Sequence, residues 1–210
     1  MVEAVERAFE RLSRGLARWP DPHQERRPDD DDYSRVTNAA RYRIVGARAD
    51  AWAAGLEELG LATLETDVEW AEQPQTDFRR PFMIVPEAAG ALAVVVARHR
   101  LGDRDDAGVT LGAGRPAVPI AFFPDCGCDA CDWGSEDAIE LVDQYLRAIV
   151  TGRYRRLSKG NEVIAVVGES RSSSNVDWRR AEAVLARPEG WSEIAGTTWL
   201  PPTTDPPRTP

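Results

Sequence analysis

The chain has 210 residues, 42% of them hydrophobic and 29% charged, and a formal net charge of −9. That length suits one medium domain whose core needs no disulfide staple. The negative balance speaks against nucleic-acid or anionic-lipid partners, whose phosphates ask for a basic surface, and no apolar run approaches the ~20 residues that cross a membrane.

Val2, Val5, Phe9, Leu12, Leu16 and Trp19 recur in steps of three and four, which predicts a helix over residues 2–18 ended by Pro20 and Pro22. Four consecutive aspartates, Asp29, Asp30, Asp31 and Asp32, then predict a hydrated, mobile loop. A calcium loop would alternate its ligands and place a glycine at the turn, and this run does neither. Residues 1–32 therefore read as a helix and acidic loop ahead of a domain over residues 33–200.

The motif YSRVTN at residues 33–38 leads into a second helix, with Thr37 or Asn38 as N-cap. Val45, Ala49, Trp52, Leu56 and Leu59 form its apolar stripe and Gly60 is placed to stop it. Residues 62–70 alternate apolar and polar, the pattern of a half-buried strand. Further strands are expected over residues 82–85, 91–98, 109–111 and 117–123, with short turn-rich connectors, so an antiparallel meander is the simplest topology. Pro119 asks for an edge position or a bulge. GAGRPA at residues 112–117 fits a dinucleotide-binding pattern only formally, since a strand follows where the helix should begin.

Ser135 opens a third helix with the stripe Ile139, Val142, Leu146 and Ile149, ended by Gly152. Residues 154–157 and 163–167 flank Lys159-Gly-Asn161 as a hairpin. GESRSSSN at residues 168–175 reads as a loop capping a last helix over 176–186; it lacks the ending of a phosphate-binding P-loop and the second glycine of a nucleophile elbow. Residues 201–210 are proline-rich and expected to be disordered. The fold class is thus α+β: a single domain with an antiparallel β-meander packed against three to four helices.

The most distinctive stretch is CGCDACD at residues 126–132. Cys128 and Cys131 have the spacing of a zinc-knuckle pair, and Gly127 allows the tight backbone that brings in Cys126. Asp125, Asp129, Asp132, Glu136 and Asp137 surround them. Such acidity raises thiol pKa, which disfavours a nucleophile, and attracts a cation. A metal site wants a fourth ligand. In a meander, the strand ending at His99 and the strand ending at Phe123 run the same way, two positions apart, so His99 is the candidate, with an aspartate of the 103–106 turn as substitute. The metal set is Cys126, Cys128, Cys131 and His99, with zinc as the ion. Two other readings stand beside it: three small thiols packing a turn, and redox or disulfide chemistry. An odd cysteine count and an N-terminus without an apolar signal stretch point to a cytoplasmic location.

No Ser-His-Asp or Cys-His set is visible, so no catalytic residue is assigned. The expectation is a non-enzymatic cytosolic protein whose cysteine cluster is structural and zinc-binding, with a basic protein as partner in the manner of an immunity protein. The alternative is a metal- or thiol-dependent enzyme centred on Cys126, Cys128 and Cys131.

YSRVTN and CGCDACD together resemble the hallmarks of an uncharacterised, mainly actinobacterial family, a domain of unknown function. The resemblance spans roughly residues 33–167 and implies one standing domain with helix, meander, cysteine turn and helix in that order. The family carries no assigned activity, so no functional residue transfers. Where members similar to it continue with an acidic residue after Asp132, this chain has Trp133.

Overall fold

The computed structural model describes residues 1–202. Their centre is an antiparallel meander of β1 (Ala62–Glu65), β2 (Phe78–Pro86), β3 (Val94–Leu101), β4 (Arg104–Ala113) and β5 (Val118–Phe123), paired strictly in sequence order. Helices α1 (Val2–Leu12), α2 (Arg43–Glu58) and α3 (Ser135–Val150) share the core on one of its faces. Ile84, Val94, Val96, Val109 and Leu111 of the sheet meet Val45, Trp52 and Leu56 of α2, Phe9 of α1 and Leu146 of α3 there. The opposite face carries a smaller cluster, in which Met83, Val95 and Ala117 are covered by Val68 and Trp70.

A second antiparallel sheet follows, formed by β6 (Tyr154–Lys159), β7 (Glu162–Val167), β8 (Ser170–Ser174) and β9 (Ser192–Ala195) in the order β8-β7-β6-β9. Helix α4 (Trp178–Ala186) closes its apolar face by laying Ala181 and Val184 on Leu157 and Ile164. The fold is α+β, with four helices and two open sheets among the described residues. Among the described residues, no helix is long and apolar enough to cross a membrane.

The three helices of the main layer are locked by a buried ion pair. Arg48 of α2 donates to Asp143 of α3 through Nε at 2.6 Å and Nη2 at 2.7 Å, Trp52 Nε1 donates to the same carboxylate at 2.7 Å, and Glu6 of α1 takes Nη2 at 2.7 Å. This bidentate geometry satisfies both charges inside the core. Helices α1 and α2 touch backbone to backbone at Gly55, where a Cβ would lie 2.9 Å from Val5 N.

Several sequence expectations need correction. The first helix ends at Leu12 rather than continuing to residue 18, although Leu16 and Trp19 still pack on the core. A 3₁₀ turn, Ala39–Tyr42, precedes α2, Asn38 makes no side-chain cap, and Leu59 is exposed. Only Ala62–Glu65 of the alternating segment pairs as strand; Trp70 instead bridges to Ala117. The aspartate run is a 3₁₀ turn, Asp30–Ser34, with Asp32 4% exposed and bound by Arg26 and Arg35, while Asp30 and Asp31 face solvent. Ser170–Ser174 is a strand, not a capping loop, and α4 is capped by Asp177, which accepts from the Arg180 N–H at 3.0 Å. The expectation of a disordered tail falls largely on residues 203–210, which lie outside the described residues.

Candidate metal centre

The turn between β5 and α3 carries all three cysteines. Gly127 is required by close approach: a Cβ there would sit 2.1 Å from Leu101 Cδ1, at the end of β3. The single 3₁₀ turn Asp129–Cys131 then folds the chain back. Cys126 Sγ lies 3.2 Å from Cys128 Sγ, and the three sulfurs all lie within 4.8 Å of one another. Tetrahedral zinc with ~2.3 Å Zn–S bonds places its sulfurs ~3.8 Å apart, so this spacing suits one ion.

The thiols are not equivalent. Cys128 is buried, Cys131 half-buried and Cys126 exposed. Burial pushes the Cys128 thiol up, but hydrogen bonds from Cys126, from Cys131 and from the backbone N–H groups of Cys131 and Ala130 outweigh it, leaving the pKa below the usual thiol value. Cys131, which donates to the Cys128 sulfur and is also partly buried, is pushed up to about 12. Of the pair, Cys128 thus gives up its proton more readily than Cys131, and the thiolate is the form that ligates metal.

The turn is clasped from outside by the N-terminal segment. Asp129 accepts from the Thr37 N–H at 2.9 Å, from the Thr37 hydroxyl and from Arg35 Nε at 3.1 Å, and its own N–H donates to the Arg35 carbonyl at 2.7 Å. Those bonds hold its carboxyl below the usual carboxylate range against the opposing effect of burial, which is the largest single influence. Asp132, 1% exposed, accepts from Trp19 Nε1 at 2.8 Å, from the Gly134 N–H at 2.9 Å and from Arg41 Nη2 at 2.8 Å. Gly134, at φ +90°, fits against the backbone of Pro20 and Asp21, where a Cβ would lie 2.6 Å from Asp21 N. So YSRVTN and CGCDACD are two halves of one contact. The acidity expected to draw a cation is in good part already neutralised by Arg35 and Arg41.

His99 is not brought to the sulfurs. It is 3% exposed, with Nδ1 3.0 Å from Thr110 Oγ1 and its ring against Gly108, where a Cβ would lie 2.0 Å from Nε2. Strand parity explains this: Arg98 faces α2, so His99 faces the other side of the sheet. Strand β3 does reach the cysteine turn, but a register shift between His99 and Leu101 makes Leu101 the residue that arrives. Burial lowers the His99 pKa to about 4. Among the described residues, the clustered donor group holds the three cysteines and no fourth member.

Cys126 and Cys131 instead face a cleft of about 540 Å³, walled by Phe123, Leu141 and Tyr145 and bounded by Tyr42 and Asp137. Tyr42 is 2% exposed, and its buried hydroxyl lies beside Asp132 and Arg41 without a hydrogen bond of good geometry to either. Burial, reinforced by the Asp132 charge, pushes that phenol up to about 12, so it is a neutral donor. Sequence reasoning passed over Tyr42, Arg41 and Trp19. The available signal was the charge match between Arg35 and Arg41 on one side and Asp129 and Asp132 on the other.

Fold and site define an α+β protein with a three-thiol centre in a clasped strand-to-helix turn. The chain belongs to the family described as a family of unknown function (DUF6226), whose model matches residues 5–201 and so takes in α1 and the second sheet as well as the two motifs. No curated protein and no solved structure matches it.

Proposed function

We propose that Cys126, Cys128 and Cys131 hold a zinc ion whose fourth position opens onto the neighbouring cleft, and that the protein binds a small ligand there. The observation that carries this is the convergence of three sulfurs within 4.8 Å with no fourth donor in the group among the described residues. A structural zinc site is closed by four protein ligands; a site with three protein ligands and an open position takes water or substrate. The Tyr42 phenol in the wall of the same cleft, neutral and lying beside the Asp132 carboxylate and the Arg41 guanidinium, adds a polar edge to an otherwise largely apolar lining. Zinc would supply Lewis acidity to whatever occupies that position. On this reading the protein is nearer to a metal-dependent enzyme than to a closed structural site.

The 3.2 Å contact between the Cys126 and Cys128 sulfurs favours one second reading, a thiol pair that oxidises. Metal analysis and cobalt titration under reducing conditions separate the two. One equivalent of metal with thiolate-to-cobalt charge-transfer absorption, lost in Cys128→Ser, supports the metal centre. An exogenous thiol that shifts the cobalt spectrum supports the open position. No retained metal in the reduced protein, or equal binding by Cys128→Ser, refutes the centre.

A further inference from the structure

A second cavity, of about 850 Å³, lies away from the cysteines, between the end of α1, the exposed side of α2 and the middle of β2. Its lining is unusual for a chain of net charge −9. Five arginines reach it, Arg14, Arg43, Arg79, Arg80 and Arg98, against three aspartates, Asp50, Asp105 and Asp106. The aspartates are already committed, to Arg98 at 2.5 Å, Arg100 at 3.4 Å and Arg43 at 3.0 Å. Arg14 and Arg80 are exposed and make no ion pair among the described residues. Leu12, Leu16, Ala47 and Phe82 give the same cavity an apolar wall.

The backbone is shaped to make this wall. Neighbouring residues of a regular strand point to opposite faces. Between Arg79 and Phe82 the register of β2 slips against β3, and Arg80 takes φ +48° directly ahead of Pro81. A left-handed arginine is unfavourable, and a residue before proline is further restricted. The bulge turns Arg79 and Arg80 toward one cavity, the effect such an insertion has beside binding sites. Arg98 is equally fixed. Its guanidinium lies across Gly46 of α2, where a Cβ would come 2.7 Å from Nε, and its Nη2 donates to Asp50 and to the Gly46 carbonyl at 2.9 Å, while Nη1 has no acceptor.

We propose that this cavity binds a phosphorylated small molecule with an apolar body, the phosphate held by Arg14, Arg80 and Arg98 and the body against Leu12, Leu16 and Phe82. Guanidinium groups brought to one cavity from the turn after α1, from β2 and from β3 suit a dianion with three acceptor oxygens better than a single carboxylate. A partly polar, partly apolar cleft of this volume matches small-molecule sites in general. The proposal stands independently of the metal centre.

Isothermal titration with 1-naphthyl phosphate tests it. Saturable one-to-one binding is expected, weakened at least about tenfold in Arg14→Ala and in Arg80→Gly, with no more than about a twofold change in Arg179→Ala, an exposed arginine of α4 that loses the same charge. Arg80→Gly is chosen because glycine adopts a left-handed φ without strain, so the variant keeps or gains thermal stability while it loses affinity. 2-Naphthoate, with the same ring and a monoanionic carboxylate, is expected to bind at least about tenfold more weakly. The proposal is overturned by the absence of saturation at millimolar naphthyl phosphate, by equal losses in Arg179→Ala, or by naphthoate binding as tightly.

Discussion

Asp132→Ala tests the clasp that holds the cysteine turn. The carboxylate is 1% exposed and takes an indole N–H, a backbone N–H and a guanidinium, each at 2.8–2.9 Å. Truncation leaves all three donors without their acceptor, in a largely buried setting. Removing one partner of a buried pair costs about 3–5 kcal/mol. Here Asp129 Oδ1 stands 3.7 Å from Arg41 Nη2 and takes over part of the charge, so the lower end, about 3 kcal/mol, is expected. In a domain of this size each kcal/mol moves Tm by about 2–4 °C, giving a fall of about 6–12 °C. Calorimetry on reduced, metal-free protein reads this without a contribution from bound ion. Trp19→Phe removes one of the three donors, so its effect and that of Asp132→Ala should combine with a coupling above about 0.5 kcal/mol. A Tm loss under about 2 °C, or strict additivity of the two variants, would refute the clasp.

Asp143→Ala strands Arg48 and the Trp52 indole in the core and is expected to cost about 3–5 kcal/mol, seen as a lower urea midpoint at unchanged slope. For His99, the folded-state pKa of about 4 lies below the ordinary 6.5, so between those values the unfolded chain binds a proton that the folded chain refuses. Stability is therefore intact above pH 6.5 and falls as the pH drops toward 4, by about 3 kcal/mol across the window, and urea titrations in that range should show a slope that His99→Gln abolishes. An unchanged slope in His99→Gln would sink that assignment.

The meander and α3 were legible because their signals are carried by side chains: alternation with turn residues in one, and a clean stripe from Ile139 to Ile149 in the other. Strand β8 was not, because Ser-Arg-Ser-Ser-Ser carries no apolar face; its strand character comes from backbone pairing with β7, a tertiary fact. The cysteine turn sits where the topology placed it, and the strand end expected beside it does arrive. The residue at that end was misjudged because strand parity and one irregular step decide which side chain points where. Asp32 was read as solvated because four adjacent like charges look equivalent in a row, whereas a 3₁₀ turn separates them by direction. Net charge is a sum over the whole surface, so −9 gave no sign that five arginines and three aspartates gather at one cavity.

That all three sulfurs come from six consecutive residues also bears on energetics. A ligand stabilises a fold only by the difference between its affinities for the folded and unfolded chains. Donors drawn from distant strands exist as a set only after folding, so the whole binding free energy becomes stability. A CGCDAC hexapeptide can chelate before anything else has formed, and metal captured by the nascent chain would already be in hand. What folding adds is the clasp from Trp19, Thr37 and Arg41, which fixes the turn and orients the sulfurs. With zinc held as proposed, chelator should lower Tm by less than the metal's affinity for the native protein implies, and the shortfall measures how much of the centre is prepaid by local sequence.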